Sequence, residues 1–139
     1  MVDFFTQVER SKLMSRIRSH GNFGTELRFI ALMKAAEITG WRRHYNLQGK
    51  PDFVFLKLKV AVFIDGCFWH GCARCYKTGP KSNAAFWMEK FTRNKKRDLL
   101  VTRMLRSKDW RVLRIWEHEL SRKNEARLLR RIQHALIPR

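Results

Sequence analysis

The run Val60-Ala61-Val62-Phe63-Ile64, closed by Asp65 and Gly66, constrains this chain more than any other feature. It is so uniformly apolar that it predicts a central strand with both faces covered, and the rest of the chain must supply the covers. Two further β-like runs precede it, Trp41 to Tyr45 and Asp52 to Leu56. A fourth, Trp110 to Trp116, alternates with Trp110, Val112 and Arg114 on one side. Between and around them lie helical patterns. Thr25 offers an N-cap to a helix whose Leu27, Ile30, Ala31 and Ala35 repeat at three and four, up to Gly40 as a stop. Asn83 offers an N-cap to a long, heavily charged helix reaching about Ser107, and Asn124 to Leu136 reads as a basic amphipathic helix. The opening segment to about Arg18 is a short helix or an arm. The order α, α, β, β, β, α, β, α predicts an α/β fold, a mixed sheet flanked by helices. No repeat, low-complexity tract or Pro/Gly-rich linker divides residues 1–139, so one domain is expected.

Charge then narrows the function. The chain carries 30 Lys and Arg against 12 Asp and Glu, a net charge of +18 over 139 residues. A surplus of this size repels itself in an isolated fold and calls for a polyanionic partner, of which nucleic acid is the commonest. Five Trp and ten Phe, in a chain that is 45% apolar, exclude a disordered basic tail. No stretch approaches the roughly 20 apolar residues of a membrane span. Residues 1–7 lack the basic-then-apolar layout of a secretory signal, so an intracellular, cytoplasmic protein without a membrane partner is expected.

Asp52 opens one strand and Asp65 closes the next. If residues 53–64 form a hairpin folded near Leu58, the two carboxylates lie opposite each other. Like charges so placed need a proton or a cation between them, and beside a polyanion the expected cation is Mg²⁺. Pro51 suits the entry to a strand, having a fixed φ and no N–H. The plainer alternative is that both aspartates are turn residues at strand ends.

All three cysteines, Cys67, Cys72 and Cys75, fall within nine positions. An odd, clustered set disfavours a disulfide framework, and Cys72-x-x-Cys75 lets two thiolates grip one tetrahedral zinc. The fourth ligand is His118, at the end of the last strand, or His70, within the loop; alternatively the three are reduced thiols without a metal. If His118 closes the zinc site, His70 is released as a base for a metal-bound water. Asp98 is a candidate to orient it, although a solvated helix Asp paired with Arg97, Lys95 or Lys96 is the more ordinary reading.

Phe68 and Trp69 lie in the loop beside the carboxylates, and Phe86 and Trp87 at the start of the long helix. Rings on a basic surface stack on bases or wedge between base steps. Phe86 is assigned to the core; Phe68, Trp69 and Trp87 are candidates if loop and helix start face one groove.

Taken together these residues form a pattern. Gly49-Lys50-Pro51-Asp52-Phe53-Val54 followed by Phe63-Ile64-Asp65-Gly66-Cys67-Phe68-Trp69-His70-Gly71-Cys72 resembles the very-short-patch-repair mismatch endonuclease family. Arg10-Ser11-Lys12 with Met14, Phe86-Trp87 through Arg97-Asp98, and Trp110-Arg111-Val112-Leu113 through His118 agree, so the resemblance spans about residues 10 to 120. It implies a restriction-endonuclease-like fold that nicks duplex DNA 5′ to the thymine of a T·G mismatch, using Mg²⁺. It further implies a monomer that leaves its nick to downstream repair proteins. By position, Asp52 and the Ile64 backbone carbonyl would hold Mg²⁺, His70 would activate water and Asp98 would support His70. Phe68, Trp69 and Trp87 would intercalate, while Cys67, Cys72, Cys75 and His118 would hold a structural Zn²⁺. Arg10, Lys12 and Arg16 would lie in a DNA groove.

Two departures stand out. Asp65 occupies the place of a second active-site histidine, so it either ligates the metal or supports a water. The lysine of the common Pro-Asp…Asp/Glu-x-Lys nuclease motif is replaced by Cys67, which fits His70 as the base. Two alternatives compete with the mismatch nuclease: a restriction- or defence-type nuclease on the same scaffold, and a zinc-stabilised DNA-binding module without catalysis.

Overall fold

The computed structural model describes residues 23–67, 72, 74, 75 and 83–138. The expected N-terminal helix or arm, with Arg10, Lys12 and Arg16, lies outside the described residues. The elements run α1 (Phe23–Ala35), β1 (Trp41–Arg43), β2 (Phe53–Phe55), β3 (Val60–Asp65), α2 (Ala84–Ser107), β4 (Arg111–Trp116), a 3₁₀ turn (Glu117–Leu120) and α3 (Glu125–Ala135). The mixed α/β sheet expected from the sequence is present, in the order β1-β2-β3-β4. β1, β2 and β3 are antiparallel neighbours, and β4 joins β3 in parallel after the α2 crossover.

All six residues of β3 are buried, as a strand with helices on both faces requires. Its alternation divides the core in two. Val60, Val62 and Ile64 join Phe29 and Met33 of α1 and Leu128 and Ile132 of α3. Ala61 and Phe63 face the other way, against Leu105, Val101 and Met104 of α2 and the ring of Trp110. α2 therefore lies over the face of the sheet to which Asp65 also belongs, since side chains two apart share a face. The residues 56–59 turn connects β2 to β3, with Lys59 at φ 52°.

Four local expectations are corrected. Thr25 sits buried within the first turns of α1 rather than ahead of them. Asn83 does occupy the N-cap of α2, but in a left-handed conformation (φ 52°, ψ 40°) and without a side-chain cap. Its carbonyl accepts the Trp87 N–H at 3.1 Å instead. Phe86, assigned to the core from sequence, is 54% exposed. Trp41 to Tyr45 pairs only as far as Arg43, because His44 turns into the left-handed region. Among the described residues no helix is long and apolar enough to cross a membrane.

Candidate nuclease centre and metal knot

β2 is short because its first residue is displaced. Phe53 pairs with Val62, yet the Asp52 N–H also reaches the Val62 carbonyl (2.9 Å), one residue out of step. Such a slip turns the side chain along the ladder. The Asp52 carboxylate accepts the Ile64 N–H at 2.7 Å, filling the place of a backbone carbonyl where β2 has ended. The expected face-to-face pairing of Asp52 with Asp65 is therefore wrong. Continuing the β2–β3 register puts Asp65 level with Lys50, and Asp52 meets the backbone one residue earlier. The two acids still converge on the C-terminal end of β3, buried at 2% and 6% exposure. Among the described residues, the Ile64 N–H meets Asp52 and the Arg114 guanidinium meets Asp65.

Arg114 stands beside Asp65. From the neighbouring strand its Nη1 donates to both carboxylate oxygens, at 2.9 and 3.2 Å. The same nitrogen stands 3.6 Å from Asp98 Oδ1 on α2. Asp98 therefore approaches Arg114, rather than forming the exposed helix pair that sequence reasoning weighed for it. Arg97 instead donates to Asn94 Oδ1 (3.2 Å). His70, which Asp98 was expected to orient, lies outside the described residues, as do Phe68 and Trp69.

Beyond Gly66 the chain ties itself to the end of β4. His118 Nδ1 lies 3.3 Å from Cys67 Sγ, 3.7 Å from Cys72 Sγ and 3.3 Å from Cys75 Sγ. The four ligand atoms all fall within 4.8 Å of one another. Metal–ligand bonds of the usual zinc lengths give sulfur–nitrogen edges of about 3.6 Å in a tetrahedron, so the spacing suits Zn²⁺. The ring of His118 stacks on Trp116 at 6.4 Å and 10°, and the Cys72 N–H bonds the Cys67 carbonyl at 2.8 Å. Burial, with the nearby Cys75 and Cys72 thiols, pushes the Cys67 thiol up to about 12. Without a metal this thiol keeps its proton.

At the start of α2, Trp87 is half-buried. It stacks on Phe91 (6.2 Å, 28°), meets Phe86 edge-on (5.3 Å) and lies under the Lys90 ammonium at 5.4 Å. A ring held this way beside a cation can receive a base or phosphate without reorganising.

A family model described as DNA mismatch endonuclease Vsr matches residues 2–77. The chain belongs to the Vsr family. It is 41% identical over 123 residues to the type II nicking enzyme V.NmeDIP of Neisseria meningitidis serogroup C, covering 86% of this chain and 80% of that protein. To the type II nicking enzyme V.NmeAIP of Neisseria meningitidis serogroup A it is 39% identical, covering 98% of this chain and the whole of the relative. The DNA mismatch endonuclease Vsr of Escherichia coli K12 is 33% identical, over 84% of this chain and 74% of its own. The chain is thus a DNA endonuclease, a hydrolase, on the restriction-endonuclease-like fold of the Vsr family.

Both metal classes have a fitting donor set. Carboxylate and carbonyl oxygens at the end of β3 suit a hard divalent ion, and three thiols with an imidazole suit zinc. Sequence reasoning missed two charged groups. Arg114 was placed on one side of its strand without a partner, though a charge at an inward position was itself the signal. Glu26, 2% exposed and paired with Arg43 at 3.3 Å, carried no signal, because a Glu in a first helical turn is ordinarily solvated.

Proposed function

We propose that this chain is a strand-specific mismatch endonuclease, nicking duplex DNA 5′ to the thymine of a T·G pair by Mg²⁺-dependent phosphodiester hydrolysis. It acts as a single-domain monomer over residues 1–139 and leaves its nick to downstream repair proteins. The observation that carries this reading is the Asp52 carboxylate locked to the Ile64 N–H, which fixes one buried acid against the peptide preceding a second, Asp65. Family membership supports it, and the name of the Escherichia coli relative supports the mismatch as substrate.

Asp52 and the Ile64 carbonyl hold the divalent ion, with Asp65 beside them. When bound, Mg²⁺ supplies Lewis-acid stabilisation of the charge that develops on the attacked phosphate. His70 accepts the proton of the attacking water, and Asp98 supports the imidazole. Phe68, Trp69 and Trp87 enter the stack beside the mismatch, where a wobble pair already stacks poorly and distortion is cheapest. Cys67, Cys72, Cys75 and His118 hold a structural zinc that fixes the loop carrying Phe68, Trp69 and His70 to the end of β4. Arg10, Lys12 and Arg16 add phosphate contacts.

The test is a panel of matched and singly mismatched duplexes with Mg²⁺. The T·G duplex is expected to be nicked in one strand well above the others. Asp52→Asn is expected to keep DNA affinity within a few-fold while losing nicking by at least 10³-fold, the order seen when a group acting mainly in the transition state is removed. Equal rates on matched and mismatched DNA would replace the reading with a restriction-type nuclease. A fully active Asp52→Asn would remove Asp52 from the chemistry.

A further inference from the structure

Lys50 adopts a backbone at odds with its residue type. Its φ is 52°, a left-handed value uncommon for a lysine, and Pro51 follows, before which a chain is ordinarily extended. Such a conformation persists only where the surroundings impose it, and here they do so on both sides. Ahead of it, Leu47 packs against the Ala61 and Phe63 side of the core, and its carbonyl accepts the Lys50 N–H at 3.0 Å. Gly49, at φ 93°, lies close against Val101 of α2. Behind it, Pro51 is buried, and Asp52 is tied to the Val62 carbonyl and the Ile64 N–H.

This turn places one cation. Lys50 lines a cleft of about 310 Å³ together with Asp65, Asp98 and Arg114, and a second cleft of about 280 Å³ together with Tyr45 and Asp52. Among the described residues it is the lining residue that the two clefts share, so it forms the wall between them. The β2–β3 register agrees, setting Lys50 level with Asp65 and two residues ahead of Asp52. A cation so placed is expected to pair with one of the buried acids. Instead Asp52 meets the Ile64 N–H and Asp65 the Arg114 guanidinium, and among the described residues the exposed Lys50 makes no ion pair. A strained backbone that presents a charge without an internal partner points to an anion from outside the fold. The compact ammonium of a lysine suits a phosphate oxygen.

We propose that Lys50 is a DNA-contacting residue of the nuclease centre: held by its left-handed backbone on the wall between the two clefts, its ammonium takes a backbone phosphate of the nicked strand within one linkage of the scissile bond. The proposal rests on the nuclease reading for where that bond lies. A phosphate gripped here sets the strand in register with Asp52, two residues along the chain, and carries no base information of its own. The grip is rigid at its root, because the turn that carries Lys50 is fixed by Leu47, Gly49 and Pro51.

The experiment uses the full chain with one equivalent of Zn²⁺ and measures affinity, with Ca²⁺ in place of Mg²⁺, for T·G duplexes. In each duplex a single linkage of the thymine strand is a neutral methylphosphonate, and the proteins are wild type, Lys50→Asn, Lys50→Gln and Lys50→Arg. Wild type is expected to bind about 10-fold less tightly when a linkage within one step of the expected nick is neutral. Lys50→Asn and Lys50→Gln should bind all-phosphate DNA about 10-fold less tightly, lose nothing further at that linkage, and lower the salt slope by about 0.9. Lys50→Arg should stay within about threefold of wild type. Asparagine tolerates the left-handed backbone better than lysine, so Lys50→Asn should unfold at higher urea than wild type, which separates lost affinity from lost fold. Were Lys50→Asn to fail to fold, Lys50→Gln would carry the same comparison. Variants as sensitive as wild type to every neutral linkage, or a coupled linkage elsewhere in the duplex, would overturn the proposal. So would a lower urea midpoint in both neutral variants, which would make Lys50 a part of the fold. If wild type nicked no duplex the nuclease reading would fall, while the linkage scan, counted from the mismatched thymine, would still judge Lys50.

Discussion

Gly49 provides the sharpest test of how the chain is fed into the nuclease centre. Its φ is +93°, and a Cβ built on it would lie 2.6 Å from Val101 Cγ1 of α2. Gly49→Ala therefore meets two independent penalties. The left-handed backbone costs an L-residue about 1–2 kcal/mol, and the overpacked contact adds about 1–3 kcal/mol. Against these stands about 0.4–1 kcal/mol gained by stiffening the unfolded chain. The net expectation is a loss of about 3 kcal/mol, lowering the melting temperature by roughly 10 °C for a domain of this size. Val101→Ala alone, removing two half-buried methyls, should cost about 1 kcal/mol. In the double variant the clash is gone but the backbone penalty remains, so its loss should be about 2 kcal/mol rather than the additive 4. Urea denaturation of the four proteins at one zinc concentration measures the coupling. Strict additivity, or a Gly49→Ala loss under about 0.5 kcal/mol, would refute the close approach of this loop to α2.

Other outcomes follow from burial and charge. Metal-free protein should lose stability as pH rises above about 9: the unfolded Cys67 thiol then gives up its proton, whereas the folded one keeps it to about 12. Zinc should abolish this slope by holding the thiolate, and identical urea midpoints between pH 7 and 10 without metal would contradict it. Arg43→Ala should cost about 2 kcal/mol by stranding the buried Glu26 carboxylate, discounted from the fully buried case because Arg43 is itself 28% exposed; a change under about 0.5 kcal/mol in denaturation would contradict it. DNA affinity should fall about 10³-fold or more between 50 and 200 mM salt, as the +18 charge implies, and a flat dependence by fluorescence anisotropy would show that phosphate contacts contribute little.

Much of this fold was legible because its signals are local. The apolar run at Val60 could only be a covered strand, and the α2 crossover put a parallel partner beside it. Capping was less legible. Asn83 has the right identity and place, but whether its side chain or its carbonyl does the capping depends on a backbone dihedral that neighbouring residues set. Phe86 looked like core on composition, yet the helix face it occupies is exposed.

By itself, the sequence determined the α/β layout, the demand for a polyanion, and the cluster of three cysteines able to bind metal, while the folded chain decided that His118 joins them. The first three follow from residue type and spacing along the chain. Tertiary structure alone decided how the charges are paired. A β2–β3 register that sets Asp65 level with Lys50, two residues from Asp52, left Asp52 to meet the Ile64 N–H in place of the expected carboxylate pair, and β4 delivered Arg114 to Asp65 across 49 positions of sequence. Register and interstrand contact depend on how separate segments settle against each other, and a buried charge is satisfied by whichever group arrives in space.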